Sequence, residues 1–250
     1  DEVICQLYVS KVRGGGKWSE PEKLNKEIND PNFTSTQPTV RSMEDGTEIV
    51  YFVSDREGGA GGMDIWYFIR TRQGEYRGPR HLKGPINTIQ DELSPFFDNS
   101  SNILYFSSNG HPNFGGFDVF RTLENEDMTW AEPTNLGYPI NSGADDIYYT
   151  RVSGSIDAAG YLVSNREGTT PLTSATCCDD IWRFENYRYG LEGFVFREGD
   201  EDIPLSGADL KLYTTDAYGN EFLVEEIDGH DAEEAFFFKL QPDSEYRLVI

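Results

Sequence analysis

Histidine, cysteine and basic side chains are all scarce in this chain of 250 residues. Its three histidines and three cysteines offer no second cysteine pair or histidine at ligand spacing, which argues against a zinc site and a disulfide framework. Lysine and arginine number 21 against 44 aspartates and glutamates, and the net charge of −23 argues against nucleic acid and anionic lipid as partners. No run of about 18 apolar residues is present, so no membrane insertion is predicted.

What the sequence has instead is an internal repeat. Three runs rich in tyrosine and phenylalanine are each followed by a motif with an aspartate before an apolar pair. The runs are 50–55, 104–109 and 161–165, and the motifs are 61–66, 115–120 and 177–182. Asp64 and Asp118 are 54 residues apart. An aromatic residue follows each of them after 12 residues. The asparagine of an Ile-Asn pair follows that aromatic residue after a further 11 residues. Residues 6–29 keep the same spacing, which is typical of a repeat architecture.

Each repeat resolves into four short strands bounded by glycine, proline, asparagine and aspartate. Helical periodicity is hardly visible, and four strands repeated about every 55 residues are typical of β-propeller blades. We therefore predict an all-β chain in which residues 1–187 form propeller blades. The three repeats and a partial one that starts at its third strand do not readily close a ring of four to eight blades, so we expect further blades outside this sequence.

The polar residues that the repeats share are predicted to be structural. Ser54, Ser108 and Ser164 end strands, where a serine commonly fixes the next turn through side-chain to backbone hydrogen bonds. The aspartate before each apolar pair is expected to do the same for its hairpin loop. The Gly-Gly pairs at 61–62 and 115–116 are expected to supply positive φ angles.

A second module is predicted for residues 188–250. The repeat spacing fails at Glu192, and the strand-like runs that follow are 191–196, 209–213, 235–238 and 246–250. From Tyr189 onward four basic residues stand against 16 acidic ones, a net of −12, which fits a β-sandwich with an acidic outer face. The acidic run 228–234 matches no EF-hand spacing, so a solvated turn is favoured over a calcium site.

The third repeat carries an insertion that breaks the pattern, because Ser164 and Asp180 are 16 residues apart instead of 10. We predict a partner-binding loop there, with a tolerated surface insertion as the alternative. Its candidate residues are Arg166, Glu167, Thr169, Thr170, Pro171 and Leu172. The adjacent Cys177 and Cys178 fit either a vicinal disulfide in an oxidising compartment or two reduced thiols.

Nothing in the sequence predicts an enzyme. The histidines His81, His111 and His230 lie in different repeats or modules, and no nucleophile elbow or triad arrangement is present. We assign no catalytic, cofactor-binding or metal-binding residues, and no cofactor. Loop aromatics such as Phe114 and the pair Tyr148–Tyr149 leave glycan binding as an alternative to protein binding, because such rings can stack on sugars.

The repeats resemble the TolB-type, WD40-like repeats, whose mark is Tyr-Phe-Ser-Ser-Asp/Asn followed by Gly-Gly-x-Asp-Ile. The resemblance covers residues 1–186. The segments 191–195, 204–210 and 236–246 resemble a carboxypeptidase regulatory-like domain, which implies a small transthyretin-like β-sandwich without a catalytic role. The Asp-Gly that usually precedes the Phe strand stands here at 228–229, with a polar insertion after it.

The two modules in this order resemble the OmpA-family outer-membrane lipoproteins of the type IX secretion and gliding machinery, and the motif 177–181 strengthens the resemblance. It implies a non-enzymatic scaffold in the periplasm, attached to the outer membrane as a lipoprotein, that docks protein subunits of a secretion complex. It also implies contact with peptidoglycan through an OmpA-like domain, which does not appear in this sequence. The alternative is a glycan-binding propeller module of the cell envelope.

Overall fold

The computed structural model describes residues 3–125, 129–152, 159–170, 179–184, 189–197, 199–215, 220–232, 234–240 and 245–250. These residues contain strands and no helix, so the predicted all-β class is confirmed. Among them there is accordingly no helix that could cross a membrane. The chain divides into two compact units, Asp1–Glu185 and Asn186–Ile250, and the boundary predicted from the sequence falls after residue 187.

Unit 1 consists of short antiparallel sheets that follow one another along the chain. It begins with β1 (Tyr8–Val9), β2 (Val12–Arg13), β3 (Lys17–Trp18) and β4 (Glu22–Lys23), in which β1 pairs with β4 and β2 with β3. Sheet I contains β5 (Ser35–Ser42), β6 (Glu48–Ser54), β7 (Asp64–Arg70) and β8 (Tyr76–His81) in that order. Sheet II contains β9 (Glu92–Asp98), β10 (Ile103–Ser108), β11 (Asp118–Leu123) and β12 (Thr134–Asn135). Sheet III contains β13 (Asp146–Arg151), β14 (Gly160–Ser164) and β15 (Asp180–Phe184).

The sheets pack face to face because their central strands are apolar on both sides. In β6 the side chains alternate, so Phe52 packs toward Leu7 and Ile28 on one face while Tyr51 packs toward Phe97 of sheet II on the other. Strands buried on both faces read as continuous apolar runs, which is how the sequence 49–53 reads. Removing such a side chain from water contributes about 1.5–3 kcal/mol, so these contacts supply the core of unit 1.

Among the described residues, the outer face of sheet III is more exposed than the matching faces of sheets I and II. Tyr51 and Tyr105 are 2% and 3% exposed, but Tyr161 at the matching position is 44% exposed. The next matching set shows the same contrast: Ile65 and Val119 are 0% exposed, whereas Ile181 is 77% exposed. The described sheets therefore form an open series, and no closed propeller is seen among them.

The Ile-Asn pairs are explained by one recurring contact. Asn29, Asn87 and Asn141, here called the linker asparagines, each bind the backbone of a residue 22 positions earlier: Leu7, just before β1, Ile65 in β7 and Val119 in β11. Asn141 Oδ1 accepts a hydrogen bond from Val119 N at 2.8 Å, and Asn141 Nδ2 donates to the Val119 carbonyl at 2.8 Å. Asn29 makes the same pair of bonds to Leu7, and Asn87 to Ile65. Only an amide offers a donor and an acceptor side by side, which is why asparagine recurs.

The prediction that the Gly-Gly pairs supply positive φ angles is wrong. None of Gly61, Gly62, Gly115 and Gly116 has a positive φ. Glycine is required there because the hairpin loop packs against the linker into the next sheet. A Cβ on Gly61 would lie 2.3 Å from the Ile89 carbonyl carbon, and one on Gly115 would lie 2.5 Å from the Ala144 carbonyl oxygen, so no side chain fits.

Unit 2 is a set of small antiparallel sheets. Its strands are β16 (Tyr189–Gly193), β17 (Phe196–Arg197), β18 (Asp200–Pro204), β19 (Ala208–Thr215), β20 (Glu221–His230), β21 (Phe236–Leu240) and β22 (Tyr246–Val249). β16 pairs with β21, β17 with β18, and β19 lies between β20 and β22. The core is formed by Val195, Leu210, Leu212, Phe236 and Phe238. The sequence did not predict β20, and Asp228, expected in a turn, lies in this strand, because its pairing with β19 outweighs the low strand propensity of its acidic residues.

Candidate functional site

The loops at one end of the strands of unit 1 form a continuous surface, here called the loop rim. It consists of residues 27–34, 55–63, 84–91, 109–117, 137–145 and 165–170. Hairpin loops contact the linkers between sheets: Gly62 N donates to the Gln90 carbonyl at 3.1 Å, and Gly116 N to the Ala144 carbonyl at 3.2 Å. Because this contact recurs from one repeat to the next, the loops are held as one surface.

Arg166, the first residue of the predicted partner-binding loop, points into the protein. Its guanidinium donates to the carbonyls of Pro139 and Ile140 and forms an ion pair with the buried Asp146. Its Nε donates to Ser164 Oγ at 3.1 Å. The side chain thus joins sheet III to the preceding linker. Sequence reasoning missed this role because three of the partners lie 20 to 27 residues away along the chain.

Arg56 occupies the matching position of sheet I, and in sheet II the equivalent contact is made by His111, one residue after the matching Gly110. Arg56 Nη2 donates to the Ile28 carbonyl at 2.6 Å, and His111 Nε2 lies 2.9 Å from the Ile86 carbonyl oxygen. The Arg56 guanidinium also lies 5.0 Å from the ring centre of Phe52, and burial lowers its pKa. Arg56, His111 and Arg166 therefore each bind the linker of their own repeat that carries an Ile-Asn pair. The guanidinium groups of both arginines are engaged in hydrogen bonds within the protein.

The remaining predicted loop residues are placed as follows. Glu167 is exposed on the rim. Thr169 Oγ1 donates to the Ser164 carbonyl at 3.2 Å, and Thr170 N donates to Asp180 Oδ2 at 2.8 Å. Four predicted residues lie outside the described ones, namely Pro171, Leu172, Cys177 and Cys178. The part of the loop that the structure describes is therefore anchored at its base, with Glu167 as its exposed charge.

Three large apolar side chains project from the rim. Ile89, Phe114 and Tyr138 are 81%, 67% and 88% exposed, and they belong to three successive rim segments. Of these, only Phe114 was singled out from the sequence. The sequence does contain a signal for Ile89 and Tyr138. Each is an apolar residue within two positions of an Ile-Asn pair, in a linker whose other solvent-facing residues are small or polar.

The charge of the rim is predominantly negative. Its carboxylates belong to Glu27, Asp30, Asp55, Glu57, Asp91, Asp145 and Glu167. The rim arginines are Arg56 and Arg166, and both use their guanidinium groups in internal hydrogen bonds. Seven carboxylates against two arginines leave the rim with a net negative charge beside its exposed apolar side chains.

The aromatic pair considered for sugar stacking is mostly unavailable to a ligand. Tyr149 is buried, with ring centres 4.8 Å from Tyr105 and 5.0 Å from Phe184, so the expectation that it could stack on a sugar is wrong. Tyr148 is partly exposed, and its hydroxyl accepts a hydrogen bond from Gln37 Nε2 at 2.9 Å. Phe114 is the aromatic of that prediction whose ring stays open to solvent.

The repeated aspartates fix hairpin loops, as predicted. Asp64 Oδ2 accepts from Ala60 N at 2.7 Å, and Asp118 Oδ2 accepts from Phe114 N at 2.8 Å. Asp180 is the acceptor for a loop N–H in the third repeat. These carboxylates are therefore part of the scaffold that holds the rim.

His81 and Asn135 hold equivalent positions, each 17 residues after the repeated aspartate. In sheet II, Asn135 Nδ2 donates to Asp118 at 2.7 Å while its Oδ1 accepts from Asn141 Nδ2 at 2.7 Å. In sheet I, His81 Nε2 lies 2.9 Å from the donor Asn87 Nδ2 and 3.7 Å from Asp64 Oδ1. One ring nitrogen cannot accept and donate at once. Asp64 Oδ1 and Asp118 Oδ1 both have no hydrogen-bond partner among the described residues, so the two sheets differ in the hydrogen bond that Asn135 donates to Asp118 Oδ2.

Replacing His81 with asparagine is therefore expected to stabilise unit 1. The amide of His81→Asn can accept from Asn87 and donate to Asp64, a gain of roughly 1 kcal/mol, or about 2–4 °C in the unfolding temperature. Thermal unfolding followed by circular dichroism measures the effect. The reciprocal variant Asn135→His should lose stability, and a lower unfolding temperature for His81→Asn would contradict the interpretation.

Among the described residues no group of three or more histidine, cysteine, aspartate or glutamate side chains is placed to hold a metal ion. Cys5 is exposed and free. In comparisons with known proteins, no protein-family model matches the chain, and no curated protein matches it.

Proposed function

We propose that unit 1 is a series of β-propeller blades and that unit 2 is a transthyretin-like sandwich of the carboxypeptidase regulatory-like kind. The proposal for unit 1 is supported by the recurring antiparallel sheets, the linker asparagines and the face-to-face packing in chain order. The exposed Tyr161 and Ile181 support the view that the series belongs to a ring with further blades, because the matching positions in sheets I and II are covered by the next sheet.

We further propose that the protein is a non-enzymatic scaffold that docks protein partners on its loop rim. The observation that carries the proposal is the exposure of Ile89, Phe114 and Tyr138 on a rim whose carboxylates outnumber its arginines and whose arginines are used internally. Apolar side chains at the centre of an interface supply most of its binding energy, and surrounding charges set specificity and association rate. The partner surface should therefore be apolar and basic.

The sequence resemblance gives this scaffold a location. Among the OmpA-family lipoproteins, the sequence motifs resemble those of PorE of the type IX secretion and gliding machinery. The proposed partners are accordingly protein subunits of an outer-membrane secretion complex, met in the periplasm, with peptidoglycan reached through an OmpA-like domain outside this sequence. The second candidate is glycan binding, which the exposed rings of Phe114 and Tyr138 favour.

Co-purification with the native protein from solubilised outer membranes tests the proposal. The variant Ile89→Ser/Phe114→Ser/Tyr138→Ser is expected to retain about a tenth or less of the bound partner, because losing a central apolar cluster typically costs 2 kcal/mol or more. Raising the salt concentration should weaken binding further. Quantitative mass spectrometry of the bound proteins gives the readout.

Leu123→Ser is the matched control for this experiment. Leu123 is also exposed, but it lies at the end of β11 away from the rim, so its replacement should leave partner recovery unchanged. Full recovery with the triple variant would contradict docking on the rim. Recovery of glycan alone would favour the second candidate.

A further inference from the structure

The edge strand β20 of unit 2 carries an unusual exposed apolar run. Phe222, Leu223 and Val224 are consecutive, and 45–48% of each is exposed. Successive residues of a strand point to opposite faces, so both faces of β20 are uncovered in this segment. Among the described residues β20 pairs only with β19, and its other edge offers backbone N–H and C=O groups to a further strand.

The register explains why this run lies outside the core. Leu212 of β19 is fully buried and stands opposite Glu225, while Tyr213 stands opposite Leu223. Val224 is the extra residue between those pairs, in a bulge. The apolar residues thus begin where the buried part of the sheet ends, and packing of unit 2 does not require them.

The charges of β20 indicate what could bind there. The strand carries Glu221, Glu225, Glu226 and Asp228 and no lysine or arginine. Two carboxylates are compensated: Arg247 donates to both oxygens of Glu221 at 2.8 Å, and Lys211 Nζ lies 2.5 Å from Glu226. Glu225 and Asp228 have no ion-pair partner among the described residues.

The carboxylates of β20 repel one another, and Asp228 shows the effect on its pKa. The negative charge of Glu226 is the main cause of the raised pKa of Asp228. A cation placed beside these carboxylates would relieve that repulsion.

We propose that β20 is a docking edge for an extended segment of a protein partner, which adds a strand through main-chain hydrogen bonds. The segment carries apolar residues against Phe222–Val224 and two basic side chains against Glu225 and Asp228. Main-chain pairing provides affinity in this mode, and the side chains provide specificity. The surface lies in unit 2, and none of its residues belongs to the loop rim.

A second copy of this chain fits the edge less well. Pairing β20 with β20 would bring four carboxylates from each copy into one patch, and like charges directly opposite each other on neighbouring strands are destabilising. The charge of the strand therefore selects a basic partner over self-association.

Two ten-residue peptides with blocked termini test the proposal. The lysine peptide alternates valine and threonine and contains two lysines. The glutamate peptide has glutamates in place of those lysines. The lysine peptide should bind, protect the amides of residues 221–228 from hydrogen exchange, and bind at least about tenfold more tightly than the glutamate peptide. Its affinity should fall with added salt. Absence of binding, equal binding of both peptides, or protection confined to other strands would overturn the proposal.

Variants of the full chain give the second readout. Glu225→Gln/Asp228→Asn should remove the preference for lysine, and Phe222→Thr/Leu223→Thr/Val224→Thr should weaken the lysine peptide about tenfold while keeping strand-forming residues. Ile203→Thr, on β18, is the control and should bind normally. Size-exclusion chromatography with light scattering detects a dimer, and a dimer lost in the threonine variant would show that a second copy is the occupant. The variant Ile89→Ser/Phe114→Ser/Tyr138→Ser should still bind the lysine peptide. A failure of the β20 proposal can therefore be distinguished from a failure of docking on the loop rim.

Discussion

Replacing Asn141 with aspartate is expected to destabilise unit 1 by about 3–5 kcal/mol. Asn141 is 1% exposed, and its Nδ2 donates to both the Val119 carbonyl and Asn135 Oδ1. Aspartate keeps the acceptor for Val119 N but loses the donor, so it places a buried negative charge against two oxygen atoms.

Urea unfolding at pH 7 measures this loss, and acidification should recover part of it as the carboxyl group takes up a proton. Asn102→Asp in the turn between β9 and β10 is the matched control, because Asn102 is exposed and its side chain makes no hydrogen bond among the described residues, so its change should stay within about 0.5 kcal/mol. A loss below about 1 kcal/mol for Asn141→Asp would show that the linker asparagines do not hold the sheets as described.

Replacing Ile65 with aspartate is expected to cost far more stability than the same replacement at Ile181, which holds the matching position of sheet III. Ile65→Asp buries a charge between sheets I and II and is expected to cost about 4 kcal/mol or more, which is enough to unfold many domains. Ile181→Asp puts the same change at the matching position of sheet III, where the side chain is exposed, and should change the stability of this chain by about 0.5 kcal/mol or less.

Urea unfolding of both variants, each compared with the unsubstituted chain, provides the measurement. Similar losses at the two positions would mean that the outer face of sheet III is covered in solution. Such a result would contradict the open series of sheets described above.

The strands of unit 1 were predictable because their signals are local and repeated. The run 50–53 is apolar and rich in β-branched and aromatic residues, and an Asp or Asn after the serine marks its end. The role of the linker asparagines was not predictable, because each reaches a strand 22 residues earlier in the chain. The repeat spacing shows that an asparagine recurs. It does not show which backbone group that asparagine binds.

The errors have physical causes of the same kind. The Gly-Gly pairs were interpreted through local backbone conformation, whereas they are fixed by the approach of a distant linker. The strand β20 was missed because Glu225, Glu226 and Asp228 lower its strand propensity, and its pairing with β19 outweighs that preference. Arg166 looked like a loop charge open to a partner, but Asp146 and two carbonyls bind it.

The rim itself was only partly foreseeable. The insertion after Arg166 drew attention to one loop, while the exposed side chains Ile89 and Tyr138 lie in linkers that the repeat pattern treats as ordinary turns. Their significance follows from the contacts that place successive loops on one surface. Of the three exposed apolar residues of the rim, Phe114 was therefore named from the sequence, and Ile89 and Tyr138 were missed.

Photocrosslinking in the cells that produce the protein tests the central claim, docking on the loop rim, most directly. A photoreactive phenylalanine analogue is placed at position 114, at position 138, or at the control position 123. The account predicts discrete adducts with envelope proteins from positions 114 and 138, identified by mass spectrometry, and none from position 123. Equal adducts from all three positions, or none from the rim, would contradict it.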